Sequence, residues 1–144
     1  VEIGGEIRVR GTNPQGELWR IGINTPKDDP TSTSNEIEDI IQVTQLSMAT
    51  SGNYRNYYEK DGKKFAHTID PRTGYSVSST LLSATVVAPT CAEADAAATM
   101  LMTLGASDSA ERVAEQCHKE FGWDYYFIFA GEEDYRIVCS ESLK

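Results

Sequence analysis

The stretch Ser83–Gly105, SATVVAPTCAEADAAATMLMTLG, decides the fold because it joins a strand directly to a helix. Small, β-branched and apolar residues at 84–88 predict a strand, and Pro89 ends it because proline has no N–H to donate. Thr90 and Glu93 have the spacing of a capping box, which predicts the start of a helix. Gly105 is typical of the left-handed position that follows a helix, so it predicts the end.

The predicted helix has two faces of different character. Apolar residues share one face at helical spacing, namely Ala94, Ala97, Ala98, Leu101 and Leu104. Asp95 and Thr99 lie four residues apart on another face, one turn from each other. The small alanine side chains around this pair lead us to expect that a ligand approaches the helix closely.

The spacing of Asp95 and Thr99 has two possible explanations. An acid in an early turn is favoured by the helix macrodipole, and a threonine hydroxyl can bond to a carbonyl one turn earlier. Alternatively, the carboxylate and the hydroxyl are two ligands of Mg²⁺, which takes oxygen ligands and leaves positions for substrate phosphates.

The rest of the chain is mostly patterned as strands. Residues 1–9, with a bulge or a close approach at Gly4-Gly5, are predicted to form a hairpin with residues 19–24. Further strands are predicted at 37–44, 54–59, 64–69, 123–130 and 135–139, and a second helix from Ser107 or Asp108 to Gly122. Long hairpins with two helices exclude a doubly wound parallel sheet. We expect one α+β domain, residues 1–144, with a mostly antiparallel sheet and both helices on one face.

Composition excludes several classes of function. The net charge of −9, from 13 basic and 22 acidic residues, argues against nucleic-acid binding, which needs a basic surface. It also means that an anionic ligand needs a cation or backbone N–H groups to bind. No apolar run approaches the roughly 20 residues of a membrane span. The three cysteines are too scattered for a disulfide framework, and we expect them to be buried free thiols.

Two other segments combine small residues with chemically active ones. Ser51-Gly52 lies in a stretch of small residues, 47–54, that suits either a tight turn or the close approach of a ligand. The run HTIDPRTG at 67–74 places His67 and Asp70 at the entry to a turn. It is either a catalytic loop or an exposed histidine followed by an aspartate that caps the turn.

In their order and spacing, these segments resemble the ApbE family of FAD:protein FMN transferases. The H-x-x-D-P-x-T-G run from His67 and the A-D-x-x-x-T run from Ala94 are specific in combination. The resemblance extends from Val1 to the final hairpin and covers the C-terminal half or so of a family member. It implies an ApbE-like α+β fold.

The resemblance also implies a role for each matching residue. Asp95 and Thr99 match side-chain ligands of Mg²⁺, and His67 matches the proposed catalytic base. The residues that match the FAD site are Gly4, Gly5, Ser51, Gly52, His67 and Asp70. Family members cleave FAD at its pyrophosphate, attach FMN to a threonine or serine hydroxyl of an acceptor flavoprotein, and release AMP.

The alternatives are an FAD pyrophosphatase that yields FMN and AMP, and a flavin-binding module without turnover. The second alternative arises because the matching chain is one half of a family member. The resemblance further implies that the parent protein is a lipoprotein anchored on the periplasmic side of the inner membrane.

Overall fold

A computed structural model describes residues 1–26, 36–53, 57–60, 63–105, 107–132 and 134–144. The strands are β1 (Glu2–Ile3), β2 (Glu6–Arg8), β3 (Trp19–Asn24), β4 (Ile37–Val43), β5 (Ser47–Gly52), β6 (Tyr57–Lys60), β7 (Lys63–Ala66), β8 (Leu81–Ala88), β9 (Asp124–Ala130) and β10 (Tyr135–Cys139). The helices are α1 (Cys91–Leu104) and α2 (Ser107–Phe121), and a short 3₁₀ turn spans Glu141–Leu143.

Six strands form one sheet in the spatial order β1-β2-β5-β8-β9-β10, and every neighbouring pair is antiparallel. Strands β3 and β4 form a separate two-stranded ribbon, and β6 pairs with β7. The predicted α+β class with a mostly antiparallel sheet is confirmed. The β6–β7 pairing matches the predicted hairpin, although its turn residues Asp61 and Gly62 lie outside the described residues.

The two faces of the sheet pack against different elements. Ala84 and Val86 of β8 pack with the buried residues of α1 and α2, so both helices lie on one face as expected. Val87 points the other way and packs with Ile23 and Ile41 of the β3–β4 ribbon. Because β8 is buried on both faces, its sequence is a nearly continuous apolar run and does not alternate with polar residues.

Local signals place the ends of both helices. The hydroxyl of Thr90 accepts a hydrogen bond from the backbone N–H of Glu93 at 3.2 Å, which caps α1. The other half of the capping box differs from expectation, because the Glu93 carboxylate accepts from the Thr90 hydroxyl at 2.6 Å. Gly105 and Gly122 follow the two helices with φ of +64° and +68°. In the described part of the chain, no helix is both long enough and apolar enough to cross a membrane.

Three sequence predictions are corrected by the fold. Gly4-Gly5 forms the turn between β1 and β2, with positive φ at both glycines, so it is not a bulge within one strand. Strand β2 pairs with β5, whereas β3 pairs with β4, so the predicted hairpin between residues 1–9 and 19–24 is wrong. Residues 47–52 are a strand inside the sheet and not a tight turn. The first error concerns a local turn, whereas the other two concern pairing between distant segments, which local pattern does not specify.

The cysteines Cys91, Cys117 and Cys139 are free thiols, as expected. All three are half-buried, so they are less buried than expected. Burial raises the pKa of Cys117 and of Cys139 above the ordinary value.

The Tyr126 hydroxyl ties the ribbon to the sheet, because it donates to the Asp39 carboxylate at 3.2 Å. Burial, followed by the charge of Asp39, raises the pKa of Tyr126 well above its ordinary value. The folded protein therefore keeps this proton at a pH where the unfolded chain has lost it. The resulting stabilisation is complete below pH of about 10, the ordinary tyrosine pKa, and is lost as the pH rises beyond it.

We expect Tyr126→Phe to lower the free energy of unfolding by about 1 kcal/mol at neutral pH, because one hydrogen bond is lost. The variant should also lose less stability than wild type between pH 9 and 11. Urea unfolding at a series of pH values measures both effects. Tyr75→Phe is the control, since Tyr75 is 78% exposed. Equal pH dependence of Tyr126→Phe and wild type would show that Tyr126 does not contribute to it.

Candidate functional site

A cavity of about 750 Å³ lies beside the end of β5, beyond the point where its pairing with β2 stops. Strand β2 pairs with β5 at Ile7–Met48 and Arg8–Ser47, whereas β5 continues to Gly52 beside β8. Within the described part of the chain, no strand pairs with residues 49–52 on the β2 side. The end of β5 therefore faces the cavity with an open backbone edge.

The cavity collects residues that are far apart in sequence. It is lined by the turn of β1–β2 (Gly4, Gly5), the end of β5 (Thr50, Ser51, Gly52), His67 after β7, and the α1 pair Asp95 and Thr99. All of the residues selected from the sequence line it except Asp70. Their roles in binding and catalysis stay predictions.

The hydroxyl of Thr99 lies 3.1 Å from the hydroxyl of Ser51, across the contact between α1 and β5. Back-bonding to a helix carbonyl is seen instead at Thr103, whose hydroxyl donates to the Thr99 carbonyl at 2.7 Å. Thr99 thus directs its hydroxyl toward β5 and the cavity. The sequence allowed the Thr99 hydroxyl to bond to a carbonyl one turn earlier in α1, and the structure shows the contact with Ser51 instead.

The exposed Asp95 lies one turn before Thr99 and borders two cavities. The second cavity, of about 480 Å³, is also lined by Arg8 and Cys91. Among the described residues, there is no group of three or more His, Cys, Asp or Glu side chains placed to hold a metal ion. The cavity is lined by three oxygen donors of this region, namely the carboxylate of Asp95 and the hydroxyls of Thr99 and Ser51. Such donors suit a hard cation.

Three of the five alanines of α1 serve packing. Ala94, Ala97 and Ala98 are buried in the apolar cluster between the helices and the sheet, and none of them lines the cavity. Their small size lets α1 approach β5 closely enough for the Ser51 and Thr99 hydroxyls to meet. These three alanines therefore allow the close approach of the sheet. Ala92 and Ala96, the other two alanines of α1, are exposed, and the approach of a ligand to the helix stays a prediction.

Asp70 organises the turn that follows His67. Its carboxylate accepts from the backbone N–H of Arg72 at 2.9 Å and from the Arg72 guanidinium at 2.9 and 2.8 Å. These bonds hold the pKa of Asp70 below its ordinary value. The Asp70 carbonyl accepts from the N–H of Gly74 at 2.8 Å, where φ is +73°. The geometry matches the alternative in which this aspartate caps the turn.

The same turn is anchored against the end of α1. The N–H of Val77 donates to the carbonyl of Thr68 at 2.9 Å, which joins the two sides of the turn. A Cβ on Gly105 would lie 2.7 Å from Cγ1 of Val77, so this contact requires glycine. The segment that follows His67 is thereby packed against the end of the helix that carries Asp95 and Thr99.

Sequence patterns missed one wall of the cavity. The β3–β4 ribbon contributes Arg20, Ile21, Gly22, Asn24 and Ile37 to the lining. Alternation along β3 predicts that its even-numbered residues lie away from the apolar cluster. It does not predict that they border the same cavity as Asp95.

The chain matches the model of the ApbE family over residues 1–121. It is 47% identical to the FAD:protein FMN transferase of Haemophilus influenzae over 116 residues, which cover 81% of the chain and 32% of that relative. It is 43% identical to the FAD:protein FMN transferase of Salmonella typhimurium over 144 residues, which cover 100% of the chain and 39% of that relative. The solved structure titled "Flavin Transferase ApbE from Vibrio cholerae" superimposes with a TM-score of 0.77 at 34% identity, covering 99% of the chain and 42% of that structure. The chain thus spans less than half the length of each of these relatives.

Proposed function

Because the chain belongs to the ApbE family, we propose that its cavity takes part in moving FMN from FAD to a threonine or serine hydroxyl of an acceptor flavoprotein, with release of AMP. The names of the relatives from Haemophilus influenzae and Salmonella typhimurium support this transfer. The proposal applies to the natural polypeptide that contains these residues, since the relatives are longer than the chain. Magnesium is the cation that we propose the reaction requires.

The meeting of His67, Asp95 and Thr99 at one cavity carries the proposal. A proton acceptor and a set of oxygen donors are the parts that phosphoryl transfer needs. The cavity volume of about 750 Å³ is within the usual range for small-molecule and cofactor sites. Gly4, Gly5 and Gly52 present backbone without side chains, which lets a bulky dinucleotide approach.

Asp95 and Thr99 are the residues that we propose hold Mg²⁺. Mg²⁺ is commonly bound by one or two carboxylates together with substrate phosphates, so these donors fit it. When bound, the ion would supply positive charge that stabilises the negative charge developing on the pyrophosphate as AMP leaves. Ser51 orients the Thr99 hydroxyl through their contact at 3.1 Å.

His67 is proposed to accept the proton of the acceptor hydroxyl at a ring nitrogen. The hydroxyl oxygen forms a bond to the phosphorus of the FMN half. The bond from this phosphorus to the bridging oxygen breaks, and that oxygen leaves as part of AMP. The turn closed by Asp70 and Arg72 follows His67 directly, and we propose that it keeps the imidazole at the cavity during this step.

The exposure of His67 favours a second candidate, an FAD pyrophosphatase. Water can reach an exposed imidazole, and it can attack the same phosphorus in place of the acceptor hydroxyl. The products are then free FMN and AMP. The two activities differ in the nucleophile and share the residues proposed above.

The test combines the natural polypeptide with FAD, MgCl₂ and an acceptor peptide that contains one threonine. We expect the peptide to gain the mass of FMN, with one AMP released per peptide modified. An unmodified peptide would count against transfer. FMN and AMP formed without the peptide would identify a pyrophosphatase, and tight FAD binding without AMP would identify a flavin-binding module.

A further inference from the structure

The β3–β4 ribbon borders the cavity with two polar β3 side chains that lie on either side of a glycine. Ile23 is 2% exposed and packs in the apolar cluster between ribbon and sheet. Arg20, Gly22 and Asn24 alternate with the residues of that cluster along β3, and all three line the cavity. Ile21 packs against the same cluster and also borders the cavity. The even-numbered β3 residues thus face the cavity, and Ile21 contributes to both packing and lining.

Gly22, which lies between these two polar residues, is covered by an apolar side chain. A Cβ on Gly22 would lie 3.1 Å from Cδ1 of Ile37, so Ile37 occupies the space above the glycine. Ile37 stands opposite Asn24 in the ribbon and also lines the cavity. Arg20 and Asn24 therefore lie on either side of Gly22 along β3, each two residues from it.

Arg20 has the charge that the cavity otherwise lacks. The chain carries a net charge of −9, and both carboxylates in the cavity lining, Glu2 and Asp95, repel phosphate. In the described part of the lining, Arg20 is the one lysine or arginine. Its neighbour on β4 is the uncharged Gln42, so the strand register gives it no carboxylate partner there.

We propose that Arg20 binds a phosphate group of the flavin nucleotide in this cavity, an inference that rests on the proposed function. A guanidinium is permanently charged and matches two phosphate oxygens with two parallel N–H donors. It is placed on the ribbon, whereas the oxygen donors Asp95 and Thr99 are on α1. The two elements therefore bind the nucleotide from different layers of the fold.

The test measures affinities of the natural polypeptide for FAD, FMN and riboflavin by quenching of flavin fluorescence. We expect Arg20→Ala to weaken binding of FAD by about 10- to 100-fold, the effect of losing a hydrogen bond between charged groups. Riboflavin has no phosphate, so its affinity should be unchanged. Arg20→Lys should fall between wild type and Arg20→Ala, because it keeps the charge and loses the paired donors.

Arg112→Ala is the matched control, since Arg112 is an exposed arginine on α2 that does not line the cavity. Unchanged FAD affinity in Arg20→Ala would overturn the inference and leave the proposed transfer intact. An equal loss of riboflavin affinity would also overturn it, because Arg20 would then support the flavin ring or the wall itself. Arg20-dependent FAD binding in a protein that transfers no FMN would support the inference while the proposed function fails.

Discussion

Replacing Asp95 with alanine is expected to lower magnesium-dependent FMN transfer by about 10³-fold or more. Metal-ion charge stabilisation in a transition state is worth several kcal/mol, and each 1.36 kcal/mol corresponds to a factor of ten in rate. Asp95 supplies the carboxylate of the proposed donor set, so its loss removes a full negative charge from that set. Rates measured across a magnesium titration test this expectation.

Two threonines of α1 complete the test of Asp95, one as the second proposed ligand and one as the control. Thr99→Ala removes the hydroxyl that meets Ser51, and it should also lower transfer at limiting magnesium. Thr103→Ala removes a hydroxyl that bonds within the helix to the Thr99 carbonyl, and it should leave the magnesium dependence unchanged. If Asp95→Ala keeps the wild-type rate at every magnesium concentration, Asp95 is not a metal ligand. Equal loss in all three variants would indicate damage to the helix.

Replacing His67 with alanine is expected to slow transfer by about 10²- to 10⁴-fold, the usual contribution of a general base. FAD affinity should change little, because the histidine is proposed to act on the acceptor hydroxyl. Single-turnover transfer rates, together with FAD binding, separate the two effects. A parallel loss of FAD affinity would make His67 a contact to the nucleotide and would contradict the proposed proton transfer.

The other histidine of the chain is the control for His67. His118 lies on α2, where Nδ1 is 3.0 Å from the Trp123 carbonyl and 3.2 Å from the Asp124 carboxylate. It does not line the cavity. We expect His118→Ala to affect the free energy of unfolding and to leave the transfer rate per folded molecule unchanged. Slow transfer in both variants would point to a general loss of structure.

Short-range signals explain why α1 was predictable. Pro89, Thr90, Glu93 and Gly105 act on backbone groups within about four residues, so their effect does not depend on distant segments. The same reasoning placed α2 and the strands on either side of the helices. It also placed Asp95 and Thr99 on a face of α1 different from that of Ala94 and Ala98, and both alanines are buried as expected.

The partner of a strand depends on segments far away in sequence. The pattern of residues 1–9 is compatible with pairing to residues 19–24 or to β5, and burial of Ile7 and Met48 beside Val87 favours β5. Residues 47–52 have a weak strand pattern because they are small. Hydrogen bonding to β8 along their whole length makes them a strand.

The sequence alone determined the strand–turn–helix stretch Ser83–Gly105, the α+β class and the residues that mark the family, since each depends on local backbone chemistry or on residue identity. Tertiary structure alone decided that Ser51, His67 and Thr99 share one cavity and that Arg20 borders it. It also decided that Ala94, Ala97 and Ala98 of α1 face the sheet. The physical reason is that packing between layers determines the contacts of each side chain. The spacing of residues along one helix or strand does not specify which layer that helix or strand will contact.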